Sequence, residues 1–340
     1  MKKILVLGGT GAMGVYLVPI LRKMGYAVDV ISFDAIESGD PDLRYIQAKD
    51  AKDPAYMAEV LKNDYDGIVD FMIYGTAEFK AKHRQLLDNT DHYIYLSSYR
   101  IYDNKEHPIK ETSPRLVDAS DDAEFLATDD YSLHKARGED TLHAYTKETG
   151  KRNWTAIRPA ITFSKRRFQL VTAEADLVVY RAKAGKKLVL PEEALTVQAT
   201  MSWAGDVAQM IARLLFNDAA YGEIFTVATA EHNPWGTIAG YYKELIGLEI
   251  YPVPEDEYLS IIQPVETYGN RWSRWQLEYD RLFDRIIDNQ KILTVTGMQQ
   301  SQLTTVYDGL KRELAALPKE AFTTGNAVNE RMDKFLEGKK

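Results

Sequence analysis

The chain contains no cysteine among its 340 residues. Disulfide bonds, thiolate metal sites and cysteine nucleophiles are therefore excluded. The six histidines show no spacing with acidic residues that would suit a metal ion. The sequence thus predicts no metal site.

Long hydrophobic runs and an excess of positive charge are also missing. No apolar stretch approaches the roughly 18 residues that are needed to cross a bilayer. The N-terminal run Ile4–Leu7 is too short for the core of a signal peptide. Lysine and arginine number 42 against 50 aspartates and glutamates, which gives a net charge of −8 and disfavours nucleic acid. We therefore expect a cytoplasmic protein that binds neither a membrane nor nucleic acid.

Short apolar runs alternate with amphipathic stretches along the first half of the chain. Ile4–Leu7 is followed by a glycine-rich turn, an amphipathic stretch at Val15–Met24 and a second apolar run at Val28–Ile31. This order is typical of the βαβ unit of a parallel sheet. The alternation continues to Trp154–Ile157 and is less regular after Pro159. We predict an α/β fold with a dinucleotide-binding domain at residues 1–160. Residues 161–340 should form mainly a smaller substrate-binding lobe, with some segments returning to the main sheet.

The glycine-rich turn stands between the first predicted strand and the first predicted helix. Glycine lets the chain turn sharply, lets the backbone approach a pyrophosphate and lets the helix pack tightly on the strand. The N–H groups at the start of the helix then attract phosphate charge. This context predicts a dinucleotide-binding loop, with a plain tight turn as the alternative. Its candidate cofactor-binding residues are Gly8, Gly9, Thr10, Gly11, Ala12, Met13 and Gly14.

The residues that follow the second predicted strand bear on the choice between NAD and NADP. An acidic residue there accepts hydrogen bonds from the ribose hydroxyls, whereas an arginine pairs with a 2′-phosphate. This chain has Ser32 and Asp34 at that point and no basic residue, so NAD is expected and NADP is left open. Asp50, after the third predicted strand, is expected near the adenine edge. The alternatives are a solvated turn residue for Asp34 and a helix cap for Asp50.

A tyrosine and a lysine form the candidate proton-transfer pair. Tyr131 and Lys135 are four residues apart in a predicted helix and therefore share one face. A free tyrosine has a pKa of about 10. The lysine charge and the nicotinamide ring would lower that pKa in a dry site. Ser98 follows a predicted buried strand, at the sheet edge where ligands gather, and would hold the substrate oxygen that Tyr131 protonates or deprotonates. A surface helix and a capped turn are the alternatives.

Taken together and in this order, the motifs resemble those of a known family, the extended short-chain dehydrogenases, also called NAD-dependent epimerase/dehydratases. The resemblance covers roughly residues 1–250. It implies a Rossmann-type doubly wound parallel sheet with a smaller C-terminal α/β substrate lobe, and often a homodimer. It also implies a catalytic triad of Ser98, Tyr131 and Lys135, in which Lys135 binds the nicotinamide ribose and lowers the tyrosine pKa. The matching segments are the glycine loop, Ser97–Tyr102, Tyr131-x-x-x-Lys135, Ile157–Pro159 and Gly205–Ala208.

Departures from the family pattern concern the substrate. Members that use nucleotide sugars carry an arginine shortly before the position of Asp206, and Ala199–Gly205 contains none. The bulky run Phe71–Tyr74 follows the fourth predicted strand, where the family has small residues. A cluster of basic residues near residue 165 suits a diphosphate or another anion, with a solvated loop as the alternative. The candidate substrate contacts are Tyr74, Arg158, Lys165, Arg166 and Arg167.

Three functions remain open at this point. The first is an epimerase or dehydratase that acts on a sugar nucleotide or a related small-molecule substrate by transient oxidation. The second is a carbonyl or enone reductase that consumes reduced cofactor and takes a non-sugar substrate. The third is a non-enzymatic relative that senses the cofactor or binds RNA, which the acidic composition and the complete triad make the weakest of the three.

Overall fold

The structure is a computed structural model that describes residues 1–263 and 272–339. Helices and strands alternate through most of the chain, as the hydrophobic pattern predicted. The strands are β1 (Lys3–Leu7), β2 (Ala27–Ser32), β3 (Leu43–Gln47), β4 (Gly67–Asp70), β5 (His92–Leu96), β6 (Trp154–Pro159), β7 (Ile161–Phe163), β8 (Gln169–Leu170), β9 (Ala173–Glu174), β10 (Leu188–Pro191), β11 (Gln198–Trp203), β12 (Glu223–Val227), β13 (His232–Pro234) and β14 (Ile250–Val253). The helices are α1 (Gly14–Lys23), α2 (Pro54–Leu61), α3 (Thr76–Leu87), α4 (Leu116–Ala119), α5 (Ala123–Leu126), α6 (Tyr131–Thr149), α7 (Ala175–Lys183), α8 (Ala204–Leu214), α9 (Trp235–Ile246), α10 (Glu255–Ile262), α11 (Trp272–Gln276), α12 (Gln290–Thr296), α13 (Val306–Ala315) and α14 (Ala327–Glu337).

A seven-stranded sheet forms the main domain. Its strand order is β12-β6-β5-β4-β1-β2-β3, and every neighbouring pair is parallel. The strand order steps outward in both directions from β1, which is the arrangement of a doubly wound sheet. The central strands are buried on both faces, and this explains their continuous apolar runs. The predicted α/β fold of the Rossmann type is confirmed.

Helices cover both faces of this sheet. On one face α1, α8 and α12 bury apolar side chains such as Leu17 and Ile211. On the other face α2, α3 and α6 do the same with side chains such as Phe79 and Leu142. Of the described residues, no helix is long and apolar enough to cross a membrane.

A smaller lobe stands over the carboxyl edge of the sheet. The chain leaves the main sheet at the end of β6 and continues directly into β7, which pairs with β11 of the lobe. The lobe also contains the parallel pair β10–β14 and the helices α7, α9, α10, α13 and α14, which share one apolar core. Strand β12 and helices α8 and α12 come from the second half of the chain but pack with the main domain. The crevice between domain and lobe therefore lies where the parallel strands end.

Candidate active site

A cavity of about 460 Å³ lies in this crevice. The ends of β1, β4 and β5 meet there because the strands are parallel and in register, with Leu7 beside Asp70 and Asp70 beside Tyr95. The glycine loop, the start of α6 and several residues of the lobe complete the wall. Its polar lining includes Ser97, Ser98, Arg100, Tyr131, Thr162, Arg167, Gln169, Glu174, Gln276 and Arg281.

The glycine loop forms one side of the cavity. Gly8 has a φ of +73°, a left-handed conformation that favours glycine, and its N–H donates to the carbonyl of Ile31 at 2.8 Å. A Cβ on Gly9 would lie 2.7 Å from a side-chain carbon of Val30, and one on Gly14 would overlap the carbonyl group of Gly9. Met13 precedes α1, and no side chain caps the N-terminus of that helix. The loop thus has the close packing and the open helix start that a pyrophosphate requires.

Substitution of Gly14 by alanine tests this packing. The added methyl group must displace the backbone at Gly9. We expect a loss of NAD binding and a decrease of about 1–3 kcal/mol in the free energy of unfolding. The measurements are a calorimetric NAD titration and a urea denaturation curve. Gly240→Ala is the matched control, since Gly240 is exposed in α9 with open space around it. That change should raise stability by about 0.5–1 kcal/mol and leave NAD binding unchanged.

A second cavity, of about 240 Å³, lies on the other side of the glycine loop. It shares Gly8 and Gly11 with the larger cavity. Ser32 and Asp34, the residues predicted to meet the ribose, line it, and the Ser32 hydroxyl accepts a hydrogen bond from the Asp34 N–H at 3.2 Å. Asp50 is outside this lining and accepts a hydrogen bond from the Lys52 N–H at 3.1 Å. The two cavities could accommodate the two ends of a dinucleotide whose diphosphate crosses the loop.

Tyr131 and Ser98 both face the larger cavity. Ser98 precedes a short helical turn and accepts a hydrogen bond from the Arg100 N–H at 3.2 Å. Tyr131 is the first residue of α6, whose N-terminus is capped by the carboxylate of Asp130. Burial raises the pKa of the Tyr131 phenol above its usual value, and the charges of Arg100 and Arg167 and the Ser98 hydroxyl offset only part of that rise. Ser98 and Tyr131 thus belong to the wall of one cavity.

Lys135 lies beneath the cavity rather than in its wall. Its side chain is fully buried, and its Nζ donates a hydrogen bond of 2.6 Å to the carbonyl of Leu96 at the end of β5. The Nζ is 5.6 Å from the centre of the Tyr131 ring. Burial lowers the pKa of Lys135 to about 8, and the carboxylate of Asp70 offsets part of this shift. In this arrangement the lysine supports the strand end that carries Ser98, and the cations that most lower the tyrosine pKa are Arg100 and Arg167 instead.

Two of the residues that were predicted to contact the substrate, Tyr74 and Arg158, lie in the interior of the protein instead. Tyr74 is 1% exposed and donates a hydrogen bond to the buried Asp70 at 2.9 Å. Arg158 is 2% exposed and pairs with Glu139 through hydrogen bonds of 2.8 and 2.7 Å. Neither residue lines the cavity. The Tyr74 hydroxyl and the Arg158 guanidinium bind these partners inside the main domain, because buried charges and hydroxyls need hydrogen-bond partners.

Of the three residues in the basic cluster of the lobe, one lines the cavity and two are exposed to solvent. Arg167 lines the cavity, 3.5 Å from Glu174. Lys165 and Arg166 are exposed and outside the lining, so their predicted contact with substrate does not fit either.

Sequence reasoning missed two further arginines in the cavity wall. Arg100 lies between Ser98 and Tyr102, in a segment that matched the family pattern but gave no separate indication of a role for the arginine. Arg281 lies in the π-helical turn Leu277–Arg281. Arg100 follows the end of β5, as Ser98 does, and this position was the one available signal. No sequence signal marked Arg281, because its position in the cavity wall depends on how the lobe packs over the main domain.

Solved structures of several epimerases and dehydratases share this fold. The dTDP-glucose 4,6-dehydratase of Bacillus anthracis, in complex with NAD, is 17% identical, with a TM-score of 0.68 over 93% of this chain and 96% of that one. The UDP-glucuronic acid 4-epimerase of Bacillus cereus, in complex with UDP-glucuronic acid and NAD, is 15% identical, with a TM-score of 0.67 over 92% and 98% of the two chains. At such identities the likeness concerns the fold alone.

One curated relative comes from Arabidopsis thaliana. It is the chloroplast stem-loop binding protein of 41 kDa b, which is 26% identical over 267 residues. The match covers 75% of this chain and 65% of the relative's length. The chain therefore spans less than two thirds of that protein.

A family model also matches the chain. The model of the NAD dependent epimerase/dehydratase family matches residues 4–228, from the first strand of the sheet to the last. The match confirms the resemblance to this family, and it confirms NAD as the cofactor of the family. The chain belongs to the NAD dependent epimerase/dehydratase family.

Proposed function

We propose that this protein is an NAD-dependent oxidoreductase of the epimerase/dehydratase type that acts on a hydroxyl or carbonyl group of a sugar nucleotide or a related small molecule. The observation that carries the proposal is the position of Tyr131 and Ser98, which line the same cavity as the glycine loop. A proton-transfer group and a dinucleotide-binding loop then meet at one crevice, as a hydride transfer with a coupled proton transfer requires.

Proton transfer is the task of the protein's own side chains. The Ser98 hydroxyl holds the substrate oxygen, and the Tyr131 phenolate takes the proton when the substrate alcohol is oxidised. The phenol returns that proton when the carbonyl is reduced. Arg100 and Arg167 favour the phenolate and so oppose the effect of burial on the tyrosine pKa. Bound NAD would supply the hydride chemistry beside this pair.

Lys135 acts in this scheme as a positioning residue. Its hydrogen bond to Leu96 fixes the end of β5, two residues before Ser98. The neighbouring Ser97 donates to Glu139 at 2.6 Å, which holds the same segment against α6. The implied contact of Lys135 with the nicotinamide ribose stays a prediction.

NAD fits the second cavity better than NADP. The Asp34 carboxylate suits the ribose hydroxyls and would repel a 2′-phosphate. The ring of Phe33 is 76% exposed at the rim of that cavity, where a nucleotide base could cover it.

The test begins with the natively purified full chain. Mass spectrometry of the intact protein should detect bound NAD, since an enzyme that oxidises and re-reduces its substrate recycles the cofactor and need not release it. Incubation with a panel of sugar nucleotides should then produce the absorbance of the reduced nicotinamide for at least one of them. A protein that neither retains nor binds added NAD would contradict the proposal.

The same experiment addresses the reductase alternative. Phe71 and Ile73 add apolar surface to the cavity, which would suit a non-sugar substrate. A reductase must exchange its cofactor in each cycle. Rapid release of NAD together with steady consumption of NADH by a simple ketone would therefore favour it.

Binding of RNA is a second candidate because the Arabidopsis relative is named for stem-loop binding. The net charge of −8 opposes it. Retention of a stem-loop RNA on a filter, with steep dependence on salt, would favour this candidate, and absence of retention would remove it.

A further inference from the structure

The cavity is positively charged on the side opposite the glycine loop. Arg100, Arg167 and Arg281 line it, whereas Glu174 is the one carboxylate among the described lining residues. Glu174 lies 3.5 Å from Arg167, and both side chains are partly exposed. The other two guanidinium groups lie deeper, beside Tyr131 and under the lobe.

Arg100 has hydrogen-bonding capacity that the protein itself does not use. Its guanidinium donates no hydrogen bond to any residue that the structure describes, and its Nε is buried without a hydrogen-bond partner. The guanidinium carbon is 5.1 Å from the centre of the Tyr131 ring, and the side chain is 13% exposed. An arginine offers five N–H donors in a planar fork.

The nearest carboxylates do not neutralise Arg100. Asp280 Oδ2 is 3.4 Å from its Nε, but this aspartate also pairs with Arg281 and with Arg285, and it accepts the Tyr99 hydroxyl. One carboxylate is therefore shared by three guanidinium groups. Asp130 is 4.0 Å from Arg100, and its carboxylate is engaged in capping α6.

We propose that the substrate carries an anionic group, a carboxylate or a phosphate ester, close to its reacting hydroxyl, and that Arg100 binds this group with help from Arg167. The proposal rests on the proposed function, because Tyr131 marks the place of the reacting oxygen. A buried guanidinium with free donors costs free energy unless an anion meets it. An arginine fork matches both carboxylate and phosphate oxygens.

The test is a calorimetric titration of the full chain, loaded with NAD, with three probes of similar size. D-glucuronate presents a carboxylate, D-glucose 6-phosphate presents a phosphate ester, and D-glucose is neutral. At least one anionic probe should bind roughly ten-fold more tightly than glucose, as expected for hydrogen bonds to a charged group. Which of the two binds more tightly distinguishes carboxylate from phosphate.

Two variants and a control assign the preference to the cavity. Arg100→Gln should abolish the preference for the anion and leave NAD affinity unchanged. Arg167→Gln, at a side chain that is 41% exposed, should reduce the preference and keeps the test open if the Arg100 variant does not fold. Arg152→Gln is the matched control, because Arg152 precedes β6 at the opposite edge of the sheet and is 57% exposed. Its probe affinities should equal those of the unmodified protein.

The outcomes separate the two proposals. Equal binding of charged and neutral probes, no measurable binding of either anionic probe, or an unchanged preference in a folded Arg100→Gln variant would overturn the anionic substrate. If NAD also fails to bind the unmodified protein, the proposed function falls. If NAD binds normally but the anionic probes are not preferred, only the proposed anionic group on the substrate is rejected.

Discussion

Replacement of Tyr131 by phenylalanine is expected to lower turnover by roughly 10²- to 10⁴-fold, the usual contribution of a positioned acid–base group. The change removes one oxygen atom and leaves the ring that packs beside Arg100 and His134. NAD affinity should stay the same, since the glycine loop is untouched. The measurements are the rate at which the most active sugar nucleotide reduces bound NAD, and a calorimetric NAD titration.

The matched control for this variant is Tyr56→Phe. Tyr56 lies in α2 and does not line the cavity, and its replacement removes the same hydroxyl group. Its turnover should equal that of the unmodified protein. Unchanged turnover in Tyr131→Phe would reject the proton-transfer role and leave only the fold and the cofactor site. A parallel loss of NAD binding would instead indicate that the phenol supports the cofactor pocket.

Arg158→Met is expected to lower the free energy of unfolding by about 3–5 kcal/mol, because it leaves a buried charge without its partner. Glu139 is fully buried, and both of its carboxylate oxygens accept hydrogen bonds from Arg158. The same guanidinium also donates to the Tyr102 hydroxyl and to the carbonyl of Glu111. Urea denaturation followed by tryptophan fluorescence measures the loss.

A double variant distinguishes this structural role from the substrate contact that the sequence suggested. Replacement of both partners, Arg158→Met with Glu139→Leu, removes the uncompensated charge and should recover a large part of the lost stability. A substrate-binding arginine would behave differently. Its loss would leave stability nearly unchanged and weaken substrate binding, and that result would restore Arg158 to the site.

Local sequence patterns were sufficient for the fold and for several residues that line the larger cavity. The apolar run Ile4–Leu7, the glycine loop and the helix at Tyr131 each carry a signal within a few residues, since periodicity and glycine sterics act locally. The meeting of Ser98 with Tyr131 could also be predicted. Parallel strands end, and the helices that connect them begin, at one edge of the sheet, so Ser98 after β5 and Tyr131 at the start of α6 lie at the same edge.

The sequence by itself determined the doubly wound sheet, the glycine loop before α1 and the place of Ser98 and Tyr131 at the carboxyl edge of the sheet, because local patterns and the common edge of parallel strands specify them. Only the tertiary structure decided which arginines face the cavity. Arg158 meets Glu139 and becomes part of the interior, whereas Arg100 shares Asp280, 180 residues away, with two other arginines and keeps free donors. An arginine is equally charged in both places. Its role depends on the partners that folding brings within hydrogen-bonding distance, and no local pattern specifies them.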